Sequence, residues 1–128
     1  MKLILSVSVF LVSIYSFAQN NNTSSEALIN ALKEANVSKI TNYFDNFIDL
    51  KLPQKDEIKN IGKTQASLTV KNFYEENVIK GFELSSQREI AGTMYIAGKL
   101  KTSNADFNIT IMLKKKGEDL NILTVRIN

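Results

Sequence analysis

Residues 71–85 read KNFYEENVIKGFELS, and two periodicities meet inside them. Up to Asn77 the apolar residues Ala66, Val70, Phe73 and Tyr74 recur at helical spacing. From Gly81 onward Phe82 and Leu84 alternate with Glu83 and Ser85, the period of a strand. Asn77 and Gly81 are the residues on which the chain leaves the helix. The adjacent Glu75 and Glu76 raise the question of an acid–base pair. Neighbouring helical residues point about 100° apart and do not converge on one substrate atom. Carboxylates near a helix C-terminus also oppose its dipole. The pair therefore reads as the solvated end of a helix.

Beyond this junction the helical rhythm does not return. Met94, Ile96 and Leu100 alternate with Tyr95, Lys99 and Lys101, and Phe107, Ile109, Ile111 and Leu113 alternate with polar neighbours. Leu120 to Ile127 closes the chain. Gly92, Ser103-Asn104 and Gly117 punctuate the four strands, and such short connections imply an antiparallel meander. In the last strand Leu120 and Ile122 are in one phase and Leu123, Val125 and Ile127 in the other; either a bulge near Ile122–Leu123 or burial of both faces would account for it.

Before the junction, Thr23-Ser24-Ser25-Glu26 has the spacing of a capping box. A helix with Ala27, Leu28, Ala31, Leu32 and Ala35 on one face is expected to follow. Asn36 can end it and cap a second helix whose stripe is Val37, Ile40, Phe44 and Phe47. Ile48, Leu50 and Leu52 then alternate with Asp49 and Lys51 in a short strand that Pro53 ends. Gln54 to Asn60 reads as a charged surface loop, and Gly62 and Thr64 lead into the third helix. The expected fold is α+β, with N-terminal helices on a curved antiparallel sheet in the order ααβαββββ.

The first residues read as a leader. Lys2 is followed by an apolar run from Leu3 to Tyr15, and Ser16-Phe17-Ala18 offers small residues at a cleavage site. Residues 1–18 are the expected signal peptide and 19–128 the single folded domain, exported to the periplasm or secreted in soluble form. The run is shorter than the ~20 residues of a spanning helix, so no membrane span is expected after cleavage. Loss of Lys2 lowers the formal net charge of +3 by one, which is little to draw an anionic partner. The densest cluster, Lys114-Lys115-Lys116, is followed at once by Glu118-Asp119 and has no interleaved aromatic. It suits a solubilised turn, and no nucleic-acid partner is expected.

The composition restricts the chemistry. With no histidine and no cysteine, imidazole bases, thiolate nucleophiles, disulfides and the usual zinc ligands are excluded. No G-x-S-x-G elbow or phosphate-binding glycine loop is present. Asp45 and Asp49, and Asp56 with Glu57, lack EF-hand spacing and read as surface charge. No catalytic residue, cofactor or metal site is assigned.

The element order resembles the cone-shaped roll of the nuclear-transport-factor-2-like (cystatin-like) superfamily. IGKTQASLTVKNFYEEN (61–77), YIAGKLKT (95–102), FNITIMLKKKG (107–117) and LNILTVRIN (120–128) resemble an exported family of unknown function from Bacteroidota, as does IDLKLP (48–53). The shared features are the Phe73–Tyr74 pair, Tyr95 with Gly98, the lysines 114–116 and Val125-Arg126-Ile127. The chain departs from the family pattern at Asn108, where arginine is expected, and at Val125, where leucine is usual. The resemblance implies a fold and a compartment and no activity. It places Phe44, Phe47, Phe73, Phe82, Ile96 and Ile109 as candidate lining of the cone, which is either filled or holds a small apolar ligand. An enzyme of the isomerase or dehydratase type needs an Asp or Glu base at the end of that cone, and no acid falls on the apolar phase of a strand. A noncatalytic binding or protein-interaction module is the favoured reading, with a structural partner in an envelope assembly as the alternative. The opposite sheet face carries Tyr95, Ala97, Thr110 and Met112, semi-apolar where water alone would favour polar residues. That face is the candidate surface for a homodimer or another protein partner.

Overall fold

The structure, a computed structural model, describes residues 23–128. The expected signal peptide and the residues up to Asn22 lie outside the described residues, as do the side chains of Thr23 and Ser24 on which the capping box depends. The elements are α1 (Thr23–Lys33), α2 (Val37–Asn42), β1 (Phe44–Lys51), β2 (Ile58–Gly62), α3 (Lys63–Glu76), β3 (Gly81–Ile90), β4 (Thr93–Lys101), β5 (Phe107–Lys116) and β6 (Asp119–Ile127). Six strands form one sheet in the order β2-β1-β6-β5-β4-β3, and the helices cover its inner face. Among the described residues no helix is long and apolar enough to cross a membrane.

The four-strand meander has the expected phases. Ile96, Leu100, Ile109, Ile111, Leu113 and Ile122 point inward and are buried. The phase fault in β6 is a bulge: Met112 pairs with Thr124 and Leu113 with Ile122, so Leu123 is the extra residue. A second irregularity lies at Ser85, between Leu84 and Ser86 of β3. The β3–β4 turn has positive φ at both Ala91 and Gly92, the geometry that matches strand twist in a two-residue hairpin.

The N-terminal half differs in three places. In α1 Leu28, Ala31 and Leu32 are buried as expected, but Ala27 is exposed and Ile29 takes its place in the core. α2 stops at Asn42, because the chain there joins the sheet: Ile122 N–H donates to the Tyr43 carbonyl at 2.6 Å, and β1 pairs with β6 in parallel. The expected loop 54–60 contains the start of β2, an edge strand that extends the order to ααββαββββ. Of its residues only Ile61 is buried, so its alternation is faint in the sequence.

Both longer helices end in a Schellman motif. In α1 Ala35 N–H donates to the Leu32 carbonyl and Asn36 N–H to Ala31; in α3 Val78 N–H donates to Glu75 and Ile79 N–H to Tyr74. Ala35 and Val78 hold the left-handed position, at φ 53° and 49°. Glycine is the usual residue there, and a β-branched side chain such as valine is strained in it. Asn36 then caps α2, its side chain accepting from Lys39 N–H at 3.1 Å, as its sequence position implies.

Candidate functional site

The interior of the cone is packed side chains. Of the candidate lining residues, Phe44, Phe73, Phe82, Ile96 and Ile109 are buried in one apolar core. Phe47 is not among them: it is 63 % exposed. A helix would put Phe44 and Phe47 on one face, whereas a strand sends residues three apart to opposite faces. Ile48, next to Phe47, is the residue that turns inward. Among the described residues the buried polar ones are Ser25 and Thr41, so no carboxylate sits in the core.

Two clefts open beside α3. The first, of about 490 Å³, lies at the mouth of the cone between α3, the end of β1 and the start of β5. Phe73 and Phe107 form its apolar wall, their rings edge to face at 5.3 Å. Asn72, Glu76 and Asn77 give it a polar rim. The second, of about 610 Å³, lies between the two Schellman turns, walled by Ala35 and Val37 on one side and Leu68, Tyr74 and Ile79 on the other. Burial pushes the Tyr74 phenol well above its usual pKa, so it stays protonated. Glu75 borders the second cleft and Glu76 the first. The two carboxylates border different clefts and are exposed, which is the arrangement of a solvated helix end.

The outer sheet face is the other surface with a distinct chemistry. Register sets Arg88, Tyr95, Met112, Thr124 and Asp49 in one row across β3, β4, β5, β6 and β1. Ala97 and Thr110 lie opposite each other in the next row. Tyr95, Ala97, Met112, Leu123 and Thr124 are half-buried, Thr110 is exposed, and Phe47 projects from β1 on the same face. Asp45, Asp49 and Glu57, noted in the sequence, have partners here. Asp45 takes Lys116 at 3.0 Å, and that ammonium holds its carboxyl below the usual range. Asp49 accepts from Asn60 N–H at 3.0 Å, and Glu57 takes Arg126 at 2.8 Å. The row as a whole was not visible in the sequence, because its register depends on the bulges at Ser85 and Leu123.

Helices on the inner face of a curved, open, six-strand mixed sheet define an NTF2-like α+β fold. A crystal structure of an NTF2-like protein of unknown function from Pseudomonas putida is similar with a TM-score of 0.63 and 12% identity, over 84% of this chain and 82% of that one. The chain belongs to the DUF4783 family, a domain of unknown function, whose model matches residues 25–128. A DUF4783 family protein from Bacteroides ovatus is 25% identical with a TM-score of 0.72, over 79% of this chain and 90% of that one. Another from Bacteroides uniformis is 24% identical with a TM-score of 0.72, over 80% and 94%. These relatives agree with the resemblance to Bacteroidota proteins. No curated protein matches the chain.

Proposed function

We propose that this protein is an exported, noncatalytic interaction module that works through the outer face of its sheet, with a second copy of itself as the occupant. The observation that carries this reading is the row Arg88–Tyr95–Met112–Thr124–Asp49, with a cation at one end, an anion at the other and Met112 at the centre. A two-fold axis running along β5 lays Arg88 of each copy over Asp49 of the other and Met112 over Met112. Such a surface is self-complementary in charge and apolar at its middle, as an isologous contact requires. The exposed Phe47 extends the apolar centre towards β1.

Met112→Glu tests the contact. It sets two carboxylates against each other on the axis, where like charges cost several kcal/mol, while a half-exposed position costs a monomer little. The parent is expected to scatter light as a dimer, and the variant to dissociate at least tenfold more readily. A parent that stays monomeric at high concentration removes the proposal; a variant that dimerises equally well moves the contact to another surface. Export has its own test. The intact mass of the exported protein is expected to fit a chain starting at Gln19, with or without the loss of ammonia that cyclises an N-terminal glutamine. A mass that retains residues 1–18 overturns it.

A further inference from the structure

The groove between the ends of α1 and α3 lies apart from the outer sheet face. Its walls are apolar, and Leu68 stands at its lip 55 % exposed. Two of its hydroxyls are already engaged. The hydroxyls of Ser67 and Thr41 donate to the carbonyls of Lys63 and Ser38. Tyr74 differs: its side chain is 5 % exposed, yet its hydroxyl has no hydrogen-bond partner among the described residues. Among the described residues no buried polar side-chain atom is left unpaired, so this hydroxyl reaches solvent, and the groove is the described cleft that Tyr74 lines. A buried ring that ends in an unengaged hydroxyl is a fixed donor at the base of an apolar slot.

Lys71 stands one turn earlier on the same face of α3. Its ammonium is 4.0 Å from Glu75, with both side chains more than half exposed. That separation is beyond hydrogen-bond length, and a pair so exposed is weak. The groove thus offers two donors, one of them charged, above walls that can cover a hydrocarbon chain. Its volume of about 610 Å³ falls within the range of small-molecule sites.

We propose that this groove binds a carboxylate amphiphile, whose apolar chain lies along Val37, Leu68 and Ile79 and whose carboxylate accepts from the Tyr74 hydroxyl and the Lys71 ammonium. Charge and hydrogen bonding fix the head group, and the apolar walls fix the tail. The site does not depend on self-association through the sheet, so a monomeric Met112→Glu protein binds equally well.

Sodium decanoate, titrated below its micelle concentration and followed by amide NMR shifts, is the probe, and decanol is the control of equal chain length. Decanoate is expected to shift the amides of Ala35, Val37, Leu68 and Ile79 and to bind more tightly than decanol. Tyr74→Phe keeps the ring and its packing, and is expected to weaken decanoate about tenfold, the loss of one hydrogen bond to a charged group. Lys71→Met, at an exposed position, is expected to weaken decanoate and leave decanol unchanged. No shift at millimolar decanoate, shifts confined to another surface, or equal affinity in both variants overturns the site. Decanol binding as tightly as decanoate overturns recognition of the carboxylate.

Discussion

Phe73→Ala is expected to destabilise the protein by ~3–5 kcal/mol, the usual loss for a large aromatic cut from a core. Phe73 is 7 % exposed and meets two rings edge to face, Phe107 at 5.3 Å and Tyr74 at 6.5 Å. Such pairs add about 0.5–1.5 kcal/mol to the burial itself. The cleft beside it admits water to part of the void, which favours the lower half of the range. With total stability of about 5–15 kcal/mol in proteins of this kind, the variant sits close to the folding threshold. Urea unfolding followed by circular dichroism measures the change, and a loss below about 1.5 kcal/mol shows that Phe73 is not a keystone of the cone mouth. The double variant with Phe107→Ala is expected to cost less than the sum of the two single changes, because each removes the same ring contact.

Gly98→Ala is expected to cost ~3 kcal/mol or more, although it adds one methyl group to a strand whose neighbours are large. Gly98 faces inward on β4 opposite Leu84. A Cβ there would lie 2.5 and 2.6 Å from Cε1 and Cζ of Phe82, and inside the contact surface of the Glu83 carbonyl oxygen. The ring could turn aside; the carbonyl belongs to the backbone beside the Ser85 irregularity and can move only by shifting the β3–β4 register. Overpacking of this kind commonly costs 1–3 kcal/mol when side chains alone adjust. At Gly62, by contrast, a Cβ meets nothing within 4 Å. Thermal or urea unfolding checks the prediction, and a change under about 1 kcal/mol would mean that β3 yields at little cost. Gly98 follows Tyr95 in the pattern shared with the family, and its role is to let an aromatic ring lie flat on the sheet.

Much of the second half was legible in the sequence because its strands alternate cleanly. The meander, its turns and the phase break in β6 follow from which residues are apolar; that the break is a bulge rather than burial of both faces is decided by the pairing with β5. The junction at residues 71–85 was legible for the same reason, including the outward glutamates. Phe47 was not, because a spacing of three fits both a helical stripe and two opposite strand faces, and the pairing of Tyr43 with Ile122 decides between them. β2 was faint because an edge strand with a single buried residue carries almost no alternation. The groove at Tyr74 is harder still. It needs a helix to end on Val78 in a left-handed conformation, where a reader of sequence looks for glycine. In the sequence Tyr74 reads as part of the buried stripe, and Lys71 stands out only once the wall that faces it is in place.

The position of β6 bears on how the chain can fold at all. The last strand, Asp119–Ile127, is the one that joins β2-β1 to β5-β4-β3. Leu50 pairs with Val125 across most of the described length, so closing that ladder requires the ends of a long loop to meet, while the three hairpins of the meander close locally. The meander can assemble by itself, but the first two strands have no place until β6 arrives. A nascent chain, or one cut short before Asp119, is left with two separate strand groups and two raw edges of the kind that promote aggregation. Strand β6 is thus the keystone of assembly, and the sheet cannot be completed before Asp119–Ile127 is present.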